Sequence, residues 1–191
     1  MKTKLITGLF LLLAIYNYAQ TQEGQEFCEA TPNGSYFSLE LDKKIIFWAE
    51  TYYVETKEGK KVINGKTYTA FAQQWEGNTE ADIIYLREEK GVVYQYEACC
   101  EKETVRYDNS FKKGHSWKTA GDQTTYTIVS YDGTLKTPFC EYTNLMVIEA
   151  QLKVETFKFY YHRGYGYIGA TVDDQIMSCL SPALPDELKR G

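Results

Sequence analysis

Histidine is scarce in this 191-residue chain: only His115 and His162 occur, so a two-histidine metal site could form from no other pair. Basic charge is also in the minority. Lys and Arg number 21 against 26 Asp and Glu, a net charge of -5. Nucleic acid and anionic membrane both require a basic surface, so neither is an expected partner. There is no Cys-x-x-Cys pair, because Cys99 and Cys100 are adjacent, and neither histidine lies at ligand spacing from them. Structural zinc is thereby excluded from the expectations, and no metal or cofactor is expected. A Gly-x-Ser-x-Gly nucleophile elbow is missing, as are repeats of fixed period and low-complexity tracts. Beyond the first residues, no long segment carries the 3.6-residue period of an amphipathic helix.

What is present begins with a leader. Lys2 and Lys4 precede an apolar run from Leu5 to Ile15, followed by Asn17, Tyr18 and Ala19. That is the layout of a secretory signal peptide, and the run is too short to span a bilayer. Cleavage after Ala19 is expected, although Asn17 is not the ideal small residue at its position. The first cysteine is Cys28, too far along for a lipid anchor. Residues 1–19 thus read as a signal peptide, 20–34 as a flexible segment, 35–180 as one β domain and 181–191 as a tail. The expected location is the periplasm, the outer-membrane surface or the exterior, with no stable membrane insertion after cleavage.

The domain reads as all-β. Period-2 alternation recurs, and 17 tyrosines favour strands. Segments 35–41, 44–54, 66–73, 82–88, 91–97, 103–107, 124–131, 134–137, 140–149, 156–162, 165–171 and 175–179 are the predicted strands. Hairpin turns are expected at Asn64-Gly65, Glu89-Lys90-Gly91, Asp132-Gly133 and Val172-Asp173-Asp174. Short helical turns are conceivable at Ala70 to Trp75 and Pro185 to Lys189. The expected architecture is an antiparallel meander, curled into a half-barrel or barrel. Three rows, Phe37/Leu39/Leu41, Val92/Tyr94/Tyr96 and Phe157/Phe159/Tyr161, are expected to face one core. A membrane-spanning barrel is not expected, because Lys and Glu interrupt the rows.

Three stretches carry a resemblance. They are Asn64-Gly65-Lys66-Thr67-Tyr68; Tyr85 to Tyr94 followed by Val105 to Trp117, which includes Tyr107-Asp108-Asn109-Ser110-Phe111-Lys112-Lys113-Gly114; and Phe159 to Gly169, which includes Tyr160-Tyr161-His162-Arg163-Gly164-Tyr165-Gly166. Over roughly residues 60–180 the chain resembles uncharacterised exported β-rich proteins of Bacteroidetes-type bacteria. It departs from their pattern at His115-Ser116. The resemblance implies a fold and a compartment but no assigned activity.

The chemistry-bearing residues read as structural. Asp108, Ser110 and Gly114 fit a corner between strands. Gly164-Tyr165-Gly166-Tyr167-Ile168-Gly169 has the letters of a dinucleotide motif without the helix that motif requires. A Cys–His dyad with His115 or His162 is conceivable, but nothing selects it, and the paired acids Glu88-Glu89 and Asp173-Asp174 fall in turns. In an exported chain the five cysteines can form disulfides. Cys28, Cys140 and Cys179 are the candidates, and Cys99 or Cys100 is expected to stay unpaired. Three functions remain open: a non-catalytic exported protein that binds a ligand or a protein, an inhibitor or immunity-like protein capping a partner, and an enzyme of unrecognised type. The first is expected.

Overall fold

The computed structural model describes Cys28 and residues 34–121, 124–152 and 155–189. The leader, its cleavage site and most of the 20–34 segment lie outside the described residues. Twelve strands form one antiparallel sheet: β1 (Lys43–Trp48), β2 (Thr51–Ile63), β3 (Lys66–Trp75), β4 (Asp82–Glu89), β5 (Val92–Glu97), β6 (Lys102–Asp108), β7 (Ser116–Lys118), β8 (Thr125–Lys136), β9 (Glu141–Gln151), β10 (Thr156–His162), β11 (Gly166–Val172) and β12 (Gln175–Ser181). One four-residue helix, α1 (Pro185–Leu188), follows.

The strand order is β6-β5-β4-β3-β2-β1-β12-β11-β10-β9-β8-β7. Each strand pairs with its sequence neighbour, and β1 with β12 joins two six-stranded meanders. The two edges, β6 and β7, are brought together by the short connection between them. The Ala120 amide donates to Thr104 Oγ1 across that seam at 2.6 Å. The sheet is therefore a nearly closed barrel, which leaves little unpaired edge.

Turn chemistry explains much of this. Asn64 and Gly65, Lys90 and Gly91, and Asp173 and Asp174 all take positive φ, as tight hairpins require. The Ser110 amide donates to Asp108 Oδ1 at 2.7 Å in the expected corner. Gly169 lies so close to β12 that a Cβ would stand 2.5 Å from the Ser178 carbonyl oxygen.

Several expectations are corrected. The 44–54 segment is two strands split at Ala49, whose φ is 52°. No turn forms at Asp132-Gly133. Residues 125–136 run on as one bulged strand, and the reversal comes at 137–140, where Thr137 Oγ1 accepts from the Cys140 amide. Ala70 to Trp75 is strand, not helix. Residues 35–41 form bends: Ser35 Oγ accepts from the Phe37 amide and the Ser35 carbonyl from Gly164, so the sheet does not claim this backbone.

The row Val92/Tyr94/Tyr96 faces away from the barrel interior. Directly paired residues share a face, and Tyr94 pairs with Arg87, the strand neighbour of interior-facing Leu86. Val93 is the inward residue of β5, 1% exposed. Of the other two rows, Phe37, Leu39, Phe159 and Tyr161 reach the interior, while Leu41 and Phe157 are half-buried outside its lining. Val93 packs there with Tyr36, Tyr107, Ile128, Met146, Ile148 and Tyr161. A second cluster gathers Leu135, Tyr142, Leu145, Val147 and Tyr160. Beside it, Cys28 and Cys140 form a disulfide with their Cα atoms 5.4 Å apart.

Candidate functional site

The barrel interior holds a cavity of about 240 Å³ that is open to solvent on one side. Its walls are mainly aromatic and aliphatic: Trp48 from β1, Phe71 from β3, Ile84 and Leu86 from β4, Trp117 from β7, and Phe159 from β10. Phe37 enters from the bent segment, stacked on Tyr161 at 4.5 Å and on Tyr107 at 5.5 Å. Arg163 lies over the ring of Tyr36 at 4.4 Å, holding this segment down.

One polar row crosses this wall. Lys44 on β1 pairs directly with Glu55 on β2, and Glu55 with Gln73 on β3. Lys44 Nζ stands 3.1 Å from Glu55 Oε1, the two side chains only 11% and 12% exposed. Gln73 Nε2 donates to Glu55 Oε2 at 2.9 Å. On the β6 wall stands Arg106. Val93 pairs with Tyr107 and Tyr94 with Val105, so Arg106 is the extra residue of a bulge. A bulge re-aims a side chain, and here Arg106 and its neighbour Tyr107 both turn inward. Its guanidinium lies 5.9 Å from the Tyr126 ring. Burial raises the pKa of the Tyr161 hydroxyl, which Arg106 beside it counteracts. Burial likewise raises Tyr53 and Tyr167, and the Tyr167 hydroxyl bonds to Ser178 Oγ at 2.8 Å. These phenols are neutral at physiological pH. Lys44, Glu55 and Arg106 are the charged side chains lining the cavity.

The residues singled out from the sequence lie elsewhere. His115 is exposed and stacked on Phe111 at 3.7 Å. His162 is 2% exposed, its Nδ1 without a hydrogen-bond partner among the described residues, and burial lowers its pKa. Cys179, a candidate for a disulfide, is a buried free thiol, and burial pushes it up to about 11. A nucleophilic cysteine needs the opposite shift. Cys99 and Cys100 are both free in the β5–β6 turn, their sulfurs 2.9 Å apart, and the Cys100 thiol raises the pKa of Cys99. Asp174 pairs with Lys158 at 2.9 Å and Glu89 with Arg87 at 2.7 Å, both outside the cavity. Among the described residues no three His, Cys, Asp or Glu side chains gather at metal-binding distance. No helix there is long and apolar enough to cross a membrane, which says nothing of strands.

Lys44, Glu55, Gln73 and Arg106 were not singled out from the sequence. The first three carried a signal: each interrupts an apolar inward row, Lys44 before Ile46 and Trp48, Glu55 after Tyr53, and Gln73 between Phe71 and Trp75. Arg106 had none, because its orientation follows from a bulge. Compared with protein-family models, curated proteins and solved structures, the chain matches none of them.

Proposed function

We propose that the protein is an exported, non-catalytic binding protein that takes a small molecule into the barrel interior. The observation that supports this best is the cavity itself, where a few fixed polar side chains stand among aromatic walls. Small-molecule sites have that composition. Export rests on the leader pattern and on the resemblance to exported β-rich proteins; the disulfide is compatible with it. Titration with the neutral fluorophore N-phenyl-1-naphthylamine tests the reading. A saturable, one-site rise in emission is expected, with energy transfer from Trp48 and Trp117 in the wall. Ile84→Trp combined with Leu86→Trp, which sets two indole rings into the cavity, weakens that rise by at least about tenfold while circular dichroism stays unchanged. No saturable binding to the wild type, or equal binding to the double variant, would overturn it.

A further inference from the structure

Resting on that reading of the cavity, we infer that its ligand carries an anionic head group on a flat apolar body, and that Arg106 is the residue that receives the head. Among the described residues, three side chains of charged type line the cavity. Lys44 and Glu55 neutralise each other at 3.1 Å, and Gln73 completes the coordination of Glu55. Arg106 is left over. Among the described residues it has no carboxylate within ion-pair distance. What it does touch is weak compensation for a cation. The Tyr126 ring lies at 5.9 Å, near the outer limit for a cation–π contact, and the Tyr161 hydroxyl is neutral.

A charge drawn partly out of water without a counter-ion is unfavourable, and a bound anion removes that penalty. The guanidinium presents a planar fork of donors that matches an oxyanion in two-point contact. The walls beside it, Trp117, Tyr126, Phe37 and Phe159, offer flat faces to the rest of such a molecule. The sequence supplies a control within the same sheet. Arg87, two strands away on the outer face, is closed off by Glu103 and Glu89 and has no vacancy for a ligand. The bulge that turns Arg106 inward therefore moves a cation from a face that has carboxylates to a cavity where, among the described residues, the one carboxylate in the wall is already paired.

The test compares two fluorophores sharing one ring system. 8-Anilinonaphthalene-1-sulfonate is anionic and N-phenyl-1-naphthylamine is neutral. The wild type is expected to bind the anion more tightly, by about tenfold or more, the range of one charge-assisted contact. Arg106→Gln removes that preference and leaves affinity for the neutral probe within about twofold. Arg106→Lys, which keeps the charge without the fork, falls between the two. Circular dichroism and binding of the neutral probe show that each variant is folded. Equal affinity for both probes, or an anion preference that survives Arg106→Gln, overturns the assignment of the head group while the binding cavity stands. Failure of both probes on the wild type overturns the cavity reading and this inference with it.

Discussion

Two arginines, one on each face of the same sheet, sit among tyrosines and have opposite surroundings. Arg87 on β4 stacks over Tyr94 at 4.1 Å, reaches Glu103 through Nε and through Nη2 at 3.1 Å, and reaches Glu89 at 2.7 Å. Lys66 also pairs with Glu103, and the Tyr68 hydroxyl donates to it at 2.7 Å. This cluster clasps β3, β4, β5 and β6 together on the outside. Arg106 on β6 has rings and a phenol around it and, among the described residues, no carboxylate at ion-pair distance. The first arrangement is complete and its value is structural. The second is incomplete, and a group left incomplete inside a cavity is where a ligand adds most. Residue type does not separate the two; the partner on the next strand does.

The largest effect should come from breaking the clasp. Glu103→Ala removes the partner shared by Arg87, Lys66 and Tyr68, and Glu103 is only 18% exposed. Leaving the largely buried Arg87 with only the exposed Glu89 should reduce stability by about 2–3 kcal/mol in urea denaturation, somewhat below the range for a fully buried pair. Ligand binding in the cavity should not change. A loss under about 0.5 kcal/mol, the usual size for a surface change, would erase the contrast between the two arginines.

Acid should dissolve the same clasp without mutation. Hydrogen bonds from Arg87 hold the Glu103 carboxyl down from its ordinary 4.5 to about 2. Its folded pKa is the lower one, so its contribution is complete above about 4.5 and is lost as pH falls toward 2. On the order of 2 kcal/mol should disappear over that window, discounted for partial solvent access. Glu103→Gln should flatten the profile there.

His162 sharpens that experiment by accounting for a different part of the curve. Burial lowers its pKa below the ordinary 6.5, and Nδ1 has no partner among the described residues. The unfolded chain therefore takes up a proton first as pH falls. Stability is full above about 6.5 and declines toward the folded pKa, with a limiting slope of about 1.4 kcal/mol per pH unit. His162→Phe, beside Tyr142 and Tyr165, should remove the decline that sets in below pH 6.5 and leave the Glu103 loss below 4.5 untouched. An unchanged profile would mean that some other group titrates there.

The contrast also marks how far the sequence could be read. Alternation and turn residues located most strands, because Asn64-Gly65 and Lys90-Gly91 report backbone angles directly. Alternation failed where both faces of a strand are apolar. Val92, Val93 and Tyr94 give no parity, and the deciding fact, Arg87 opposite Tyr94, is a cross-strand pairing. It failed again at residues 35–41, whose apolar rhythm fills the barrel interior without joining the sheet. The polar half of the cavity was partly legible in Lys44, Glu55 and Gln73, once the break at Ala49 sets their register. Arg106 was not legible, since one extra residue in β6 reverses its face.

The smallest expected effect is the most informative about that reversal. Arg106→Leu keeps an apolar stem against the Tyr126 ring and deletes the charge. If Arg106 were a structural counterpart of Arg87, its loss would strand a carboxylate, as Glu103→Ala leaves Arg87 with only the exposed Glu89. No carboxylate pairs with it among the described residues, so none is stranded. The lost cation–π contact at 5.9 Å and the lost hydrogen bond to the Tyr161 hydroxyl act against the relief of a partly desolvated charge, each on the order of 0.5–1 kcal/mol. Net stability should stay within about 1 kcal/mol of the wild type in the ligand-free protein. In saturating 8-anilinonaphthalene-1-sulfonate the wild type should gain melting temperature and Arg106→Leu should not, because only a group that binds the folded state shifts the equilibrium. A loss of about 2 kcal/mol without ligand would instead place Arg106 in the same structural role as Arg87.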